Sequence, residues 1–272
     1  MTSGERWTRE ALVDLRAAGY APRAWAVFLL RSRARARERR AERPREHRQA
    51  LALGAAGLAA WAGAAVAGYP PLAAAGALWW VLVVLMVDWH LGMLERADGT
   101  PVCGLGLANV LTVLRAGTVP ALLALDGTAL VILFLLAGLT DGVDGRLARA
   151  RGETTRLGFW LDATVDGIFL GAAALGLARA GLLPGWATAL VVVRYALPWV
   201  VVSVAYFRTA RPPDLRRAVS GRLPGLLLFS GLVLAGLGMR EGAALAAFGA
   251  LAGLATLAAS IARAYGLADS AA

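Results

Sequence analysis

The chain predicts an all-α polytopic membrane protein with about eight transmembrane helices. Apolar residues make up 58% of its 272 positions and charged residues only 17%, with a mean hydropathy of +0.61. The apolar residues gather in runs of about 20, the length of helix that crosses a hydrocarbon layer of ~30 Å. The net charge of +10 is carried by arginine, with no lysine anywhere. A chain of this make-up would not stay soluble with such runs exposed.

The N-terminal arm, residues 1–49, holds thirteen of the twenty-eight arginines. It is too charged for a cleavable signal peptide, and the first apolar run after it is long enough to span. Thr2 and Glu5 suit a capping pair for a short helix, and Gly19-Tyr20-Ala21-Pro22 reads as its end. Residues 23–41 set Trp25, Phe28, Leu29 and Leu30 among arginines, as in an interfacial helix drawn to anionic lipid headgroups. A basic arm also raises nucleic acid, but no aromatic-basic interleaving or known binding fold accompanies it, so no nucleic-acid partner is expected. Removal of residues 1–45 is expected to spare the chemistry of the chain.

Eight spans follow, near 50–69, 72–94, 105–125, 128–150, 158–180, 185–207, 222–239 and 242–263. The arginines orient them. Arg208, Arg211, Arg216, Arg217 and Arg222 join the arm and Arg146, Arg149, Arg151 and Arg156 on one side, and little beyond Arg179 and Arg240 sits opposite. Both termini are therefore expected in the cytoplasm, with the protein in the cell membrane. Cys103 is the single cysteine, so no intramolecular disulfide forms. His47 and His90 read as solvated or snorkelling interfacial residues without a role. The tract Gly249 to Gly253 reads either as close packing within the bundle, the simpler reading, or as a homodimer contact.

Four aspartates break the apolar pattern. Asp141 and Asp144 are three apart, and Asp162 and Asp166 four apart, so each pair shares a helical face. An ionised Asp at the centre of a span costs ~2.5–3.5 kcal/mol on the insertion scale. Four would oppose insertion by on the order of 10 kcal/mol unless water or cations meet them. Gly145, Ala148 and Arg149 continue the first stripe: two small residues that let a phosphorylated ligand approach, then a planar fork for its oxygens. Gly158 stands one turn before the second pair. No His or Cys joins the acids, so Mg²⁺, Mn²⁺ or Ca²⁺ suits them and zinc does not.

The run Asp141-x2-Asp144-Gly145-x2-Ala148-Arg149, eight residues, then Gly158-x3-Asp162-x3-Asp166, resembles the full signature of the CDP-alcohol phosphotransferases. Asn109, Thr112, Arg115 and Pro120 resemble the first helix of that family's six-helix core. The resemblance implies a catalytic domain over 105–265, preceded by the arm and by two extra helices with a cytoplasmic loop over 50–104, and followed by a tail at 266–272. It further implies transfer of a phosphatidyl group from a CDP-alcohol, such as CDP-diacylglycerol, to an acceptor hydroxyl, with release of CMP, in phospholipid biosynthesis. Two divalent ions, Mg²⁺ or Mn²⁺, would be bridged by Asp141, Asp144, Asp162 and Asp166, with Asp166 as general base. Asn109, Thr112, Gly145, Ala148, Arg149, Thr155 and Gly158 would line the CDP-alcohol pocket. For Asn109 and Thr112, capping of the helix start is an equal alternative.

The acceptor is less legible. Arg156 and Arg194 are the candidates to bind a phosphorylated polyol such as inositol phosphate or glycerol phosphate, though Arg194 also suits snorkelling to headgroups. A transporter or cation-coupled protein is the rival class, but it would spread its carboxylates near the midplane on broken or repeated helices. Here they cluster at the cytoplasmic ends of adjacent spans.

Overall fold

The computed structural model describes residues 3–151, 154–210 and 222–264, without the side chains of 3–5, 141, 143–151, 222 and 260–264. Arg211, Arg216, Arg217 and the 266–272 tail, which figured in the sequence reading, lie outside the described residues. Among those residues every regular element is helical, apart from one isolated antiparallel bridge between Glu95 and Pro101. In chain order these are α1 (Ser3–Ala17), α2 (Pro22–Glu42), α3 (Pro44–Val66), α4 (Pro70–Trp89), a 3₁₀ turn (Leu91–Met93), α5 (Leu107–Gly117) and α6 (Val119–Ala124). Then come α7 (Gly127–Arg151), α8 (Arg156–Arg179), α9 (Gly185–Thr209), α10 (Arg222–Gly236) and α11 (Glu241–Ala264).

Proline opens α2, α3 and α4, where its missing N–H is one the helix start could not have paired. Because Pro44 starts α3, the first apolar helix begins inside the basic arm rather than at residue 50. The polar residues up to Gln49 ride on the same helix as the apolar run.

Six helices are long and apolar enough to cross a membrane, judged on the described residues: Pro44–Val66, Pro70–Trp89, Leu107–Ala124, Arg156–Arg179, Gly185–Thr209 and Glu241–Ala259. Shorter apolar stretches, Gly127–Thr140 and Leu223–Gly236, take the fourth and seventh of the eight expected places. The protein is an all-α polytopic membrane protein, and the count of eight rests on those two stretches.

The expected span at 105–125 is broken between α5 and α6. Pro120 cannot donate to the carbonyl four residues earlier, that of Ala116. The indole N–H of Trp79 takes that place, donating to Ala116 O at 2.7 Å. Thr118 closes the break by donating its hydroxyl to Arg115 O at 2.7 Å.

The chain divides into two compact units. The first comprises Met1–Ala121 and Leu136–Asp166. Its core is built by Ala50, Trp80, Val84, Val87, Leu91, Leu94, Leu105, Val113 and Leu157. The second comprises Leu122–Leu135 and Gly167–Ala272. There Phe134 stacks on Phe169 and meets Phe229. α10 packs on α11, and α11 on α9.

Candidate active site

α5 turns one polar stripe inward. Asn109, Thr112 and Arg115 are all buried, alongside Val113 and Ala116. Asn109 Nδ2 donates to Leu105 O at 2.6 Å, and the Thr112 hydroxyl to Ala108 O at 3.0 Å. Both side chains thus bond back to carbonyls four residues earlier, and neither caps the helix start. That start is Gly106, which makes no side-chain cap bond.

Arg115 is the central polar group of this region. Its side chain is 1% exposed, and its Nη2 donates to Oδ1 of Asp162 at 2.9 Å and to Oδ1 of Asp166 at 2.7 Å. A guanidinium sealed from water needs such acceptors, because desolvating a lone cation costs several kcal/mol even after relaxation. The two carboxylates remain reachable, with side chains 48% and 36% exposed. Formally the triad keeps one negative charge, with its cation on the closed side and its anions on the open side. An arginine inside an apolar span points to acidic partners by the same rule that singles out Arg194. The resemblance included Arg115 in the first-helix pattern but gave it no role.

The N-terminus of α8 is built from the other expected residues. The Thr155 hydroxyl accepts the N–H of Gly158 at 3.0 Å, capping the helix. Asn109 Oδ1 stands 2.7 Å from where a Cβ on Gly158 would sit, so glycine is what lets this amide approach α8. Arg156, read as an acceptor ligand, is engaged by Glu95. Its backbone N–H donates to Glu95 O at 2.9 Å and its Nη1 to Glu95 Oε1 at 3.1 Å. Nothing in the sequence singled out Glu95.

Asp141, Asp144, Gly145, Ala148 and Arg149 all fall on α7, so their spacing does place them along one helix, but their side chains lie outside the described residues. Among the described residues no group of three or more potential metal ligands converges. Arg194 belongs to the second unit, where its guanidinium lies 5.3 Å from the Tyr195 ring centroid and its side chain fills the space left by Gly253 of α11.

His47, part-exposed, is not idle. Its Nδ1 lies 2.6 Å from Asp88 Oδ1, while Arg40 Nε lies 2.6 Å from Asp88 Oδ2. The buried carboxylate at the end of α4 meets both of these side chains of the arm. Asp98, in the exposed loop before α5, accepts the backbone N–H of Thr100 at 2.9 Å. That bond, with one from the Thr100 hydroxyl, holds its carboxyl below the usual carboxylate range.

The family model for CDP-alcohol phosphatidyltransferase matches residues 105–262, more than half of the chain. The chain belongs to that family. Among its relatives, a protein of Mycobacterium tuberculosis (strain H37Rv) named "Probable phosphatidylglycerophosphate synthase" is 41% identical over 98 residues, covering 32% of this chain and 47% of its own. A Streptomyces coelicolor protein named "Cardiolipin synthase (CMP-forming)" is 32% identical over 122 residues, 41% of this chain and 56% of its own. The chain thus spans about half the length of the curated relatives it matches. No solved structure matches it. The matched stretch contains α5, the signature stripe of α7 and the whole of α8, whereas α1 to α4 precede it.

Proposed function

We propose that the chain transfers a phosphatidyl group from a CDP-alcohol of the CDP-diacylglycerol type to the hydroxyl of a polyol acceptor and releases CMP. The observation that carries this reading is the Asp162–Asp166 face of α8, backed by the buried Arg115 and placed beside the close Asn109–Gly158 approach, inside the family-matched stretch.

The donor set fits a divalent ion of the Mg²⁺ or Mn²⁺ class: carboxylate oxygens only, open to solvent, with residual negative charge. When bound, two such ions held by Asp141, Asp144, Asp162 and Asp166 would neutralise charge on the phosphorus under attack and on the departing CMP. Asp166 takes the proton from the acceptor hydroxyl as the new oxygen–phosphorus bond forms and the bond to CMP breaks. Arg115 keeps Asp162 and Asp166 turned to the same side. Asn109 and Thr112 from α5, Thr155 and Gly158 from the start of α8, and Gly145, Ala148 and Arg149 from α7 line the CDP moiety. The thin side of glycine and alanine leaves room for the diphosphate.

Glycerol phosphate is the favoured acceptor, supported by the relative named for phosphatidylglycerophosphate. Arg156, which shares its guanidinium with Glu95, and Arg194 are the candidates for its phosphate. The acceptor test supplies purified protein with CDP-diacylglycerol and, in turn, glycerol 3-phosphate, inositol phosphate and phosphatidylglycerol, and measures CMP. CMP release with glycerol 3-phosphate, lost in chelator and restored by Mg²⁺ or Mn²⁺, is expected. No CMP release with any acceptor in the presence of metal contradicts the reading.

The arginine asymmetry supports cytoplasmic termini and a cytoplasmic site in the cell membrane. Cys103 is exposed in the loop before α5 and serves as a native probe. An impermeant maleimide added outside intact cells should leave Cys103 unlabelled and label Ala180→Cys, at the other end of α8, in a Cys103→Ser background. Labelling of Cys103 reverses the orientation.

A further inference from the structure

The basic arm does more than face lipid. Three side chains around the start of α3 hold the backbone of the loop that leads into α5. Arg43 Nη1 donates to Val102 O at 3.1 Å. Glu46, 6% exposed, accepts the N–H of Gly104 at 2.7 Å, and Gln49 Oε1 accepts the N–H of Leu105 at 2.9 Å. Gly104 and Gly106 both have positive φ, +81° and +76°, so this loop adopts a shape that L side chains resist and that outside bonds must hold.

The bonds continue from there into the candidate active site. Leu105 O accepts the Asn109 side-chain N–H, and the other end of that amide sits against Gly158 at the start of α8. The same loop reaches α8 a second time through Glu95, which accepts from both the backbone and the side chain of Arg156. Asp88, gripped by Arg40 and His47, ties the end of α4 to the arm just before this loop begins. All of these residues belong to the first compact unit. All those on the arm side precede residue 105, where the family match begins.

We infer that Glu46 and Gln49 are positioning residues for CDP-alcohol binding, acting through the 102–105 backbone on Asn109 and on the N-terminus of α8. The inference rests on the reaction proposed above. It reverses the expectation that residues 1–45 are dispensable, because the cut would take Arg40 and Arg43 and the first two residues of α3. It also gives the chain a point of control that the matched stretch of the family does not contain.

The test uses the full-length protein in nanodiscs, as wild type, Glu46→Leu, Gln49→Leu and Glu46→Gln, with two readouts. Hydrogen exchange at 104–106 and at 154–160 reports the coupling without any need for turnover. In Glu46→Leu and Gln49→Leu, exchange at both segments should quicken about tenfold, the loss of one ordinary hydrogen bond. KM for CDP-diacylglycerol should rise several-fold while kcat stays within about twofold, the pattern of lost binding rather than lost chemistry. Glu46→Gln keeps an oxygen for the Gly104 N–H and should match wild type in both readouts. Unchanged exchange at 154–160 in both Leu variants overturns the coupling. Quickened exchange with unchanged KM overturns the positioning role. If wild type releases no CMP, the proposed reaction fails, and the exchange comparison still decides the coupling.

Discussion

Of the helix pairs in this protein that come together through glycine, two differ in consequence. In the second unit, α10 and α11 meet backbone to backbone. A Cβ on Gly231 would run into the backbone of Ala246, one on Gly242 into that of Ala235, and one on Gly249 into that of Leu228. In the first unit, α5 and α8 approach at Gly158, where the group that fills the space is the Asn109 amide. One contact is apolar and closed. The other is lined by Asn109, Thr112 and Arg115 and opens onto two carboxylates. A stripe of small residues therefore says that helices approach closely, and the polar residues facing it say whether the approach serves packing or a ligand.

Asp166→Asn acts at the polar contact. Loss of the general base should lower the rate of CMP release by about 10²–10⁴-fold with little change in thermal stability. Near-normal turnover removes Asp166 from that role. Gly242→Leu probes the opposite end. It pushes a side chain into backbone that cannot rotate away, and should cost at least ~1–3 kcal/mol, read as a lower melting temperature in detergent. KM for the CDP-lipid should be unchanged in the fraction that folds.

The two halves of the comparison were not equally legible. The tract Gly249 to Gly253 was read as close packing, and Gly249 does pack that way on α10. Both stripes of aspartates fall on helices as their spacing required. What braces the loop before α5 and the start of α8 is not legible, because hydrogen bonds between distant segments leave no periodic trace. Glu95, Glu46 and Gln49 look like ordinary surface polar residues until the fold brings loop backbone to them. His47 was set aside because its acceptor, Asp88, lies 41 residues away in sequence. The break between α5 and α6 was missed because an 18-residue apolar stretch masks a proline whose lost bond is made good by Trp79.

Gly158→Ala acts at the glycine of the polar contact. The new Cβ meets the end of a side chain rather than backbone, so stability should fall by ~1 kcal/mol, the low end of overpacking. Displacing Asn109 should raise KM for CDP-diacylglycerol about tenfold, equivalent to ~1.4 kcal/mol of binding. A large loss of stability with unchanged KM would instead put Gly158 in the same class as Gly242. The smallest effect is expected for Trp79→Phe, which removes the donor to Ala116 O and should cost ~0.5–1.5 kcal/mol of stability. Activity per folded molecule should hold, and a loss larger than that of Asp166→Asn would tie the α5–α6 break to the chemistry.

Divalent-dependent phosphatidyl transfer is proposed to occur on the open face of α8 before Arg115. Titrating purified protein with Mn²⁺ and following free Mn²⁺ by electron paramagnetic resonance tests it without relying on turnover. Wild type should deplete the free signal, and the double variant Asp162→Asn/Asp166→Asn, whose amide oxygens can still accept from Arg115 and which keeps Asp141 and Asp144, should deplete it far less in the fraction that folds. Equal Mn²⁺ uptake by the wild type and the folded double variant would contradict the claim.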